Sequence, residues 1–83
     1  MLSVYVNYFR RKLSIISYMK NNFAKNLRLL RKQENLKQSE LAEKLSTTQR
    51  KISYWENGKY EPDINDLISL SEIFNVSIDD LIK

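Results

Sequence analysis

The sequence predicts an all-α fold, a compact bundle of five short helices. Three observations point to it. Apolar residues recur at helical spacing in five separate stretches, at Phe23, Leu27 and Leu30, at Leu41, Ala42 and Leu45, at Ile52 and Trp55, from Ile64 to Phe74, and from Ile78 to Ile82. Residues that cap helices stand ahead of the later stretches: Thr47 or Thr48, then Asp63, then Ser77. The one glycine, Gly58, and the one proline, Pro62, both lie between stretches rather than inside them.

The first helix is expected over about residues 22–34, with Phe23, Leu27 and Leu30 facing the core and Lys25, Arg28 and Lys32 on its outer side. Asn35 ends it, because asparagine tolerates the left-handed conformation that closes many helices. Lys37 and Gln38 open the second helix, whose exposed backbone N–H groups suit a phosphate. In that helix Ala42 is small enough to let a neighbouring helix approach closely. Ser46 and Thr47 follow it, small polar residues that can bond free backbone groups. Thr47 or Thr48 then caps a third helix, which Asn57-Gly58 stops. Its buried side is Ile52 and Trp55, and its outward side is Gln49, Arg50, Lys51, Ser53 and Tyr54. A short, rigidly held helix that turns donors and aromatics outward is what reading a DNA groove requires.

Lys59 and Tyr60 form a loop before Glu61-Pro62-Asp63, and Asp63 caps a fourth helix with the stripe Ile64, Leu67, Leu70, Ile73 and Phe74. Asn75 ends that helix. Ser77 caps a last one over Ile78 to Ile82, where Asp79 and Asp80 sit at the positive N-terminal end.

The stretch Gln38 to Gly58, with Gln38, Leu41, Ala42, Leu45, Ile52, Trp55 and the closing Glu56-Asn57-Gly58, resembles the helix-turn-helix of the Cro and lambda-repressor-like family, also called the XRE family. The likeness extends to Arg31 upstream and from Pro62 to Leu81 downstream, and covers about three-quarters of the chain. It departs at Ser46, where the family usually has glycine. The resemblance implies a lambda-repressor-like DNA-binding domain over residues 19–83, preceded by an extension of residues 1–18 that lies outside the family pattern. Within that extension, Val4 to Phe9 fits a strand, while Tyr5, Phe9, Leu13 and Ile16 fit a helix face, and periodicity does not choose between them. Arg10, Arg11 and Lys12 follow its apolar run, the reverse of a secretory signal, and break any membrane span. Met19, followed by Lys20-Asn21-Asn22, fits a start of the domain, which would make the extension the product of an upstream start codon. The functional alternatives are an arm touching phosphates through Arg10 to Lys12 and an added dimer contact.

Composition narrows the chemistry. The 83 residues are enough for one small core. Cysteine and histidine are absent, which removes thiolate and imidazole metal ligands and the commonest nucleophile and base. With one glycine no phosphate-cradling glycine loop can be built. No cofactor, no metal and no enzymatic activity are expected. The net charge of +4 is unevenly spread. Residues 1–60 carry 13 Lys or Arg against four Glu, and residues 61–83 one Lys against six acids. A basic body with an acidic end suits one face on a polyanion.

Gln49, Arg50 and Tyr54 are the candidates for base edges, the positions at which the family usually reads sequence. Glutamine pairs with adenine and arginine with guanine, while a tyrosine can meet a thymine methyl or a sugar. Thr48, Lys51 and Ser53 are secondary candidates. Gln38, Asn57 and Lys59 are the candidates for phosphate, although Gln38 equally fits a helix-start hydrogen bonder. Arg31 and Glu56 resemble a charged pair found in part of the family, joining the first helix to the end of the third. One recognition helix reads few base pairs, so a homodimer on a two-fold symmetric operator is implied. Val76, Ile78, Leu81 and Ile82 would form its seam, or else close the core. The function expected is a cytoplasmic, sequence-specific regulator of transcription that binds double-stranded DNA, most simply as a repressor. The antitoxin of a toxin–antitoxin pair and a protein-interaction module without DNA are the alternatives. A toxin or an anti-repressor is the kind of protein partner they imply.

Overall fold

The computed structural model describes residues 20–83, so the expectations for the extension lie outside the described residues. Five helices follow one another with short connections: α1 Lys20–Gln33, α2 Gln38–Lys44, α3 Gln49–Glu56, α4 Ile64–Phe74 and α5 Ile78–Ile82. Helix α1 packs on α3 and α5, α2 on α3, and α4 on α5. The core at their meeting point holds Phe23, Leu27, Leu41, Ala42, Ile52, Trp55, Leu67, Leu70, Phe74 and Leu81. Trp55 is its largest fully buried side chain, and Phe23 lies nearly perpendicular to it at 78°, with 6.2 Å between ring centroids. That geometry adds about 0.5–1.5 kcal/mol to the area both rings bury.

Four of the five helices stop by one device. Asn35, Ser46, Gly58 and Asn75 take left-handed φ values of 56°, 55°, 71° and 53°. Beyond each, the next N–H returns to a carbonyl five residues back: Leu36 to Arg31, Thr47 to Ala42, Lys59 to Tyr54, and Val76 to Ser71. These bonds satisfy carbonyls that a helix end otherwise leaves without a partner. Ser46 therefore does take the glycine conformation. Helix starts are equally explicit. Thr48, Asp63 and Ser77 each accept a hydrogen bond from the backbone N–H three residues on, so the third-helix cap is Thr48. Lys37 offers no side-chain cap; instead its own N–H donates to Glu40 at 2.8 Å.

Two expectations need correction, for Ile64 and Arg28, and one open alternative is decided, for Leu81. Ile64 is 60% exposed rather than part of the buried stripe, because it is the first residue of α4 and precedes the turn that meets the core. Leu81 is fully buried and closes the core, so it takes no part in a surface seam. Val76, Ile78 and Ile82 are partly buried and pack against the same cluster. Arg28, assigned to the outer side of α1, reaches across to the end of α3. The helix is narrow enough for a long side chain at its edge to reach a neighbour.

Candidate nucleic-acid interface

The geometry of the α2–α3 unit begins with its turn. Ala42 is 4% exposed, and its single methyl lets α2 and α3 cross closely. Leu45 to Thr48 then reverse the chain through the left-handed Ser46. The cap at Thr48, whose hydroxyl accepts from Lys51 N at 3.2 Å, fixes where α3 starts.

Its far end is fixed by a charged cluster. Glu56 is 3% exposed, and its carboxylate accepts from Arg31 Nε at 2.6 Å and Arg31 Nη2 at 2.9 Å. Gln38 Nε2 donates to the same carboxylate at 3.3 Å, and Arg28 Nε lies 3.6 Å away. Arg28 also donates to the Glu56 carbonyl at 2.9 Å, and Arg31 Nη1 to the Leu36 carbonyl at 2.8 Å. One guanidinium therefore joins α1, the α1–α2 turn and the last residue of α3. A planar five-donor group meets those demands and a lysine does not. The hydrogen bonds that Arg31 donates to Glu56, more than the attraction of the carboxylate charge, hold the Arg31 pKa above its ordinary value. Arg31 and Glu56 are thus joined directly, with Glu56 buried and Arg31 partly so.

Gln49 and Arg50 are exposed on the first turn of α3. Tyr54 is half-buried one turn beyond Arg50, and the two line one shallow depression of about 420 Å³ with Thr48 and Tyr60. Ser53 is half-buried, and its hydroxyl accepts from Asn57 Nδ2 at 3.2 Å, so these two are linked along the helix. Lys59 follows in the exposed loop, with its ammonium 5.4 Å from the Tyr54 ring centre. Lys51 differs from the rest. Its ammonium lies 3.5 Å from Asp66 of α4 and 5.3 Å from the Trp55 ring centre, so it turns to the flank shared with α4. Position 51 is one turn before Trp55, which puts it at the border of the buried side. Gln38 also differs, since its amide is bonded inward to Glu56 while it remains half-buried at the start of α2.

Two contributors escaped the sequence reading. Arg28 is three residues before Arg31, so both lie on one side of α1, and that spacing was the available signal. Tyr60 is 60% exposed and meets Tyr54 edge to face, with 5.0 Å between ring centres. An aromatic residue in a polar loop was the only hint of it. Among the described residues no group of His, Cys, Asp or Glu is arranged to hold a metal, and no helix is long and apolar enough to cross a membrane.

A closely crossed helix pair with a left-handed turn, whose second helix is clamped at both ends and keeps polar residues outward, is a helix-turn-helix domain. The family model described as helix-turn-helix matches residues 27–81, and the chain belongs to that family. The likeness to the Cro and lambda-repressor-like family drawn from Gln38 to Gly58 thus extends over residues 27–81. The chain is 43% identical over 61 residues to an uncharacterised HTH-type transcriptional regulator, YqaE, of Bacillus subtilis (strain 168). It is 42% identical over 61 residues to the HTH-type transcriptional activator BcrR of Enterococcus faecalis. Each match takes in 74% of this chain, but only 53% and 30% of those proteins. Among solved structures, a transcriptional regulator from Listeria innocua superposes with a TM-score of 0.69 at 42% identity, over 72% of this chain and 56% of that one. Hydroxypropylphosphonic acid epoxidase from S. wedmorenis superposes with a TM-score of 0.73 at 27% identity, over 78% of this chain and 35% of that one. The chain thus spans about half or less of the length of the relatives it matches.

Proposed function

We propose that residues 19–83 form a sequence-specific double-stranded DNA-binding domain that regulates transcription. Helix α3 enters the major groove, with Gln49, Arg50 and Tyr54 toward base edges. Asn57 and Lys59 meet phosphates beside it. Thr48 and Ser53 lie within reach of the backbone. Gln38 contributes mainly by holding Glu56, with its second amide hydrogen left for a phosphate. Lys51, paired with Asp66, supports α3 from the side and touches phosphate only if that surface pair opens. Such a pair contributes at most about 1 kcal/mol, so opening it is inexpensive.

The observation that carries this reading is the pairing of a fixed α3 with an outward polar face. Both ends of α3 are bound by the protein itself, through Thr48 and through Arg31 with Glu56, while Gln49 and Arg50 stay exposed. Preorganised donors lose little freedom on binding. Two copies on half-sites about one helical turn apart would supply the address that one helix lacks. The partly buried Val76, Ile78 and Ile82 offer apolar edges for that pairing. A bound dimer overlapping a promoter acts as a repressor in the cytoplasm. A second reading, activation, is favoured by the similar Enterococcus faecalis protein, which is named an activator.

Nuclear magnetic resonance titration of the full chain with duplex DNA tests the reading. Amide shifts are expected to concentrate at residues 48–54, 57 and 59, with two chains per duplex at saturation. Shifts scattered over α4 with α3 unchanged would contradict it.

A further inference from the structure

The ring of Tyr54 is held from two directions by consecutive residues of the next loop. Tyr60 meets it nearly perpendicular, at 75° and 5.0 Å between centres, and the Lys59 ammonium sits 5.4 Å from its centre. Edge-to-face rings and a cation over a ring are each favourable geometries, because the aromatic face is negative and the edge positive. Tyr54 is half-buried, whereas Tyr60 is 60% exposed, so the loop residue acts as a buttress rather than a core member. Thr48, Arg50, Tyr54 and Tyr60 line one depression at the start of α3, so the buttressed ring borders the space beside Arg50. Lys51, Glu61, Asp63 and Asp66 complete the lining, and the Lys51 ammonium is paired with Asp66 at 3.5 Å, which leaves Glu61 and Asp63 outside that ion pair. These two acids disfavour a phosphate there and leave the aromatic wall for an uncharged part of a duplex.

We propose that Tyr60 is a positioning residue that orients Tyr54 against the 5-methyl group of a thymine, so that the Tyr54–Tyr60 pair sets a preference for thymine next to the base that Arg50 reads. This rests on the DNA-binding reading above and extends it to a residue and a base. A tyrosine ring has no donor pattern that singles out thymine, but it offers an apolar surface, and the C5-methyl is the apolar group of the major groove. A ring free to swing would meet that methyl only part of the time. The nearly perpendicular ring of Tyr60 removes that freedom before DNA arrives, and the selectivity follows from preorganisation.

The test replaces thymine by uracil, which removes the methyl and nothing else. Full-length chain is titrated with a duplex chosen by the protein from a random pool, then with duplexes carrying uracil at one thymine position at a time. One position per half-site is expected to weaken the affinity about fourfold, the worth of one buried methyl. In Tyr60→Ala that penalty is expected to vanish, and in Tyr60→Phe, which keeps the ring, to return. Discrimination at the Arg50 position and the salt dependence should be alike in all three proteins, which a general loss of folding would not leave intact. Tyr60 is exposed in a loop, and circular dichroism of each variant verifies its fold. Duplex binding with no uracil penalty at any position, or a full penalty retained in Tyr60→Ala, overturns the proposal alone. A folded chain that binds no duplex at all overturns it together with the DNA-binding reading.

Discussion

Arg31 and Glu56, 25 residues apart and on different helices, meet through two hydrogen bonds of 2.6 and 2.9 Å. The Glu56 side chain is 2% exposed and that of Arg31 12%, so the pair is largely withdrawn from water. It ends the helix that carries the outward polar face, and in doing so couples the stability of the fold to the geometry of the site.

Arg31→Ala is expected to cost about 3–5 kcal/mol, the usual penalty for leaving one member of a buried pair without its partner. Arg31→Lys should recover little, since one ammonium cannot serve both carboxylate oxygens and the Leu36 carbonyl. Urea unfolding midpoints measure both. A midpoint for Arg31→Ala equal to that of the parent would show that Arg28 and Gln38 suffice. This contribution carries no pH dependence in ordinary buffers. The Arg31 pKa is raised in the folded state, so its stabilisation is complete below the unfolded value and is lost only as pH rises through a still higher one.

Ser46→Gly should stabilise the protein. Ser46 is exposed and holds φ at 55°, a conformation that costs a residue with a Cβ about 1–2 kcal/mol. Glycine is released from that cost but gives back part of the gain as entropy of the unfolded chain, leaving about 0.5–1 kcal/mol. Thermal unfolding reads the difference. A lower melting temperature would mean that the hydroxyl makes a contact of its own.

Acid should loosen the start of α4. The Asp63 carboxylate accepts from Asp66 N at 2.8 Å, and that bond, with the charge of Lys51 adding to it, holds its pKa below the ordinary value. A depressed carboxylate pKa contributes stability that is present above the unfolded value, about 3.9, and lost as pH falls through the folded one. Asp63→Asn keeps an acceptor at the cap but does not titrate. The gap in melting temperature between parent and variant should therefore narrow or reverse below about pH 4. A gap independent of pH would exclude a charged cap.

The arrangement was legible wherever a residue's job is local. Caps at Asp63 and Ser77, the left-handed stops at Asn35, Gly58 and Asn75, the Phe23 and Leu27 face of α1 and the Ile52 and Trp55 face of α3 each follow from side-chain chemistry and spacing within one helix. The Arg31–Glu56 pair was legible only through the family likeness, because nothing in its spacing joins residues 25 apart. What escaped depends on how far a side chain reaches between helices. Lys51 looked outward on a helical projection, but it is long enough to turn to Asp66. Ile64 fitted the apolar stripe by spacing, yet it lies on the first turn of α4 and beyond the core. Leu81 fitted both a seam and a core, and only the packing of α5 on α1 and α4 decides for the core.

On DNA, Arg50 and Lys59 should separate into two kinds of contact. Arg50→Ala is expected to relax preference at one base position, a loss of about 1–3 kcal/mol of discrimination. Lys59→Ala should weaken binding to all duplexes alike and flatten the logarithmic salt dependence by about 1. Affinities for matched and mismatched duplexes across a salt series measure both. Unchanged selectivity in Arg50→Ala, or an unaltered slope in Lys59→Ala, would remove that residue from its role.

Whether α3 reads a DNA sequence is decided by selecting bound duplexes from a random pool at one stated salt concentration. Enrichment of a two-fold symmetric motif with half-sites about one helical turn apart is expected. A folded chain that enriches no sequence would contradict it, and would make this helix-turn-helix a surface for protein instead.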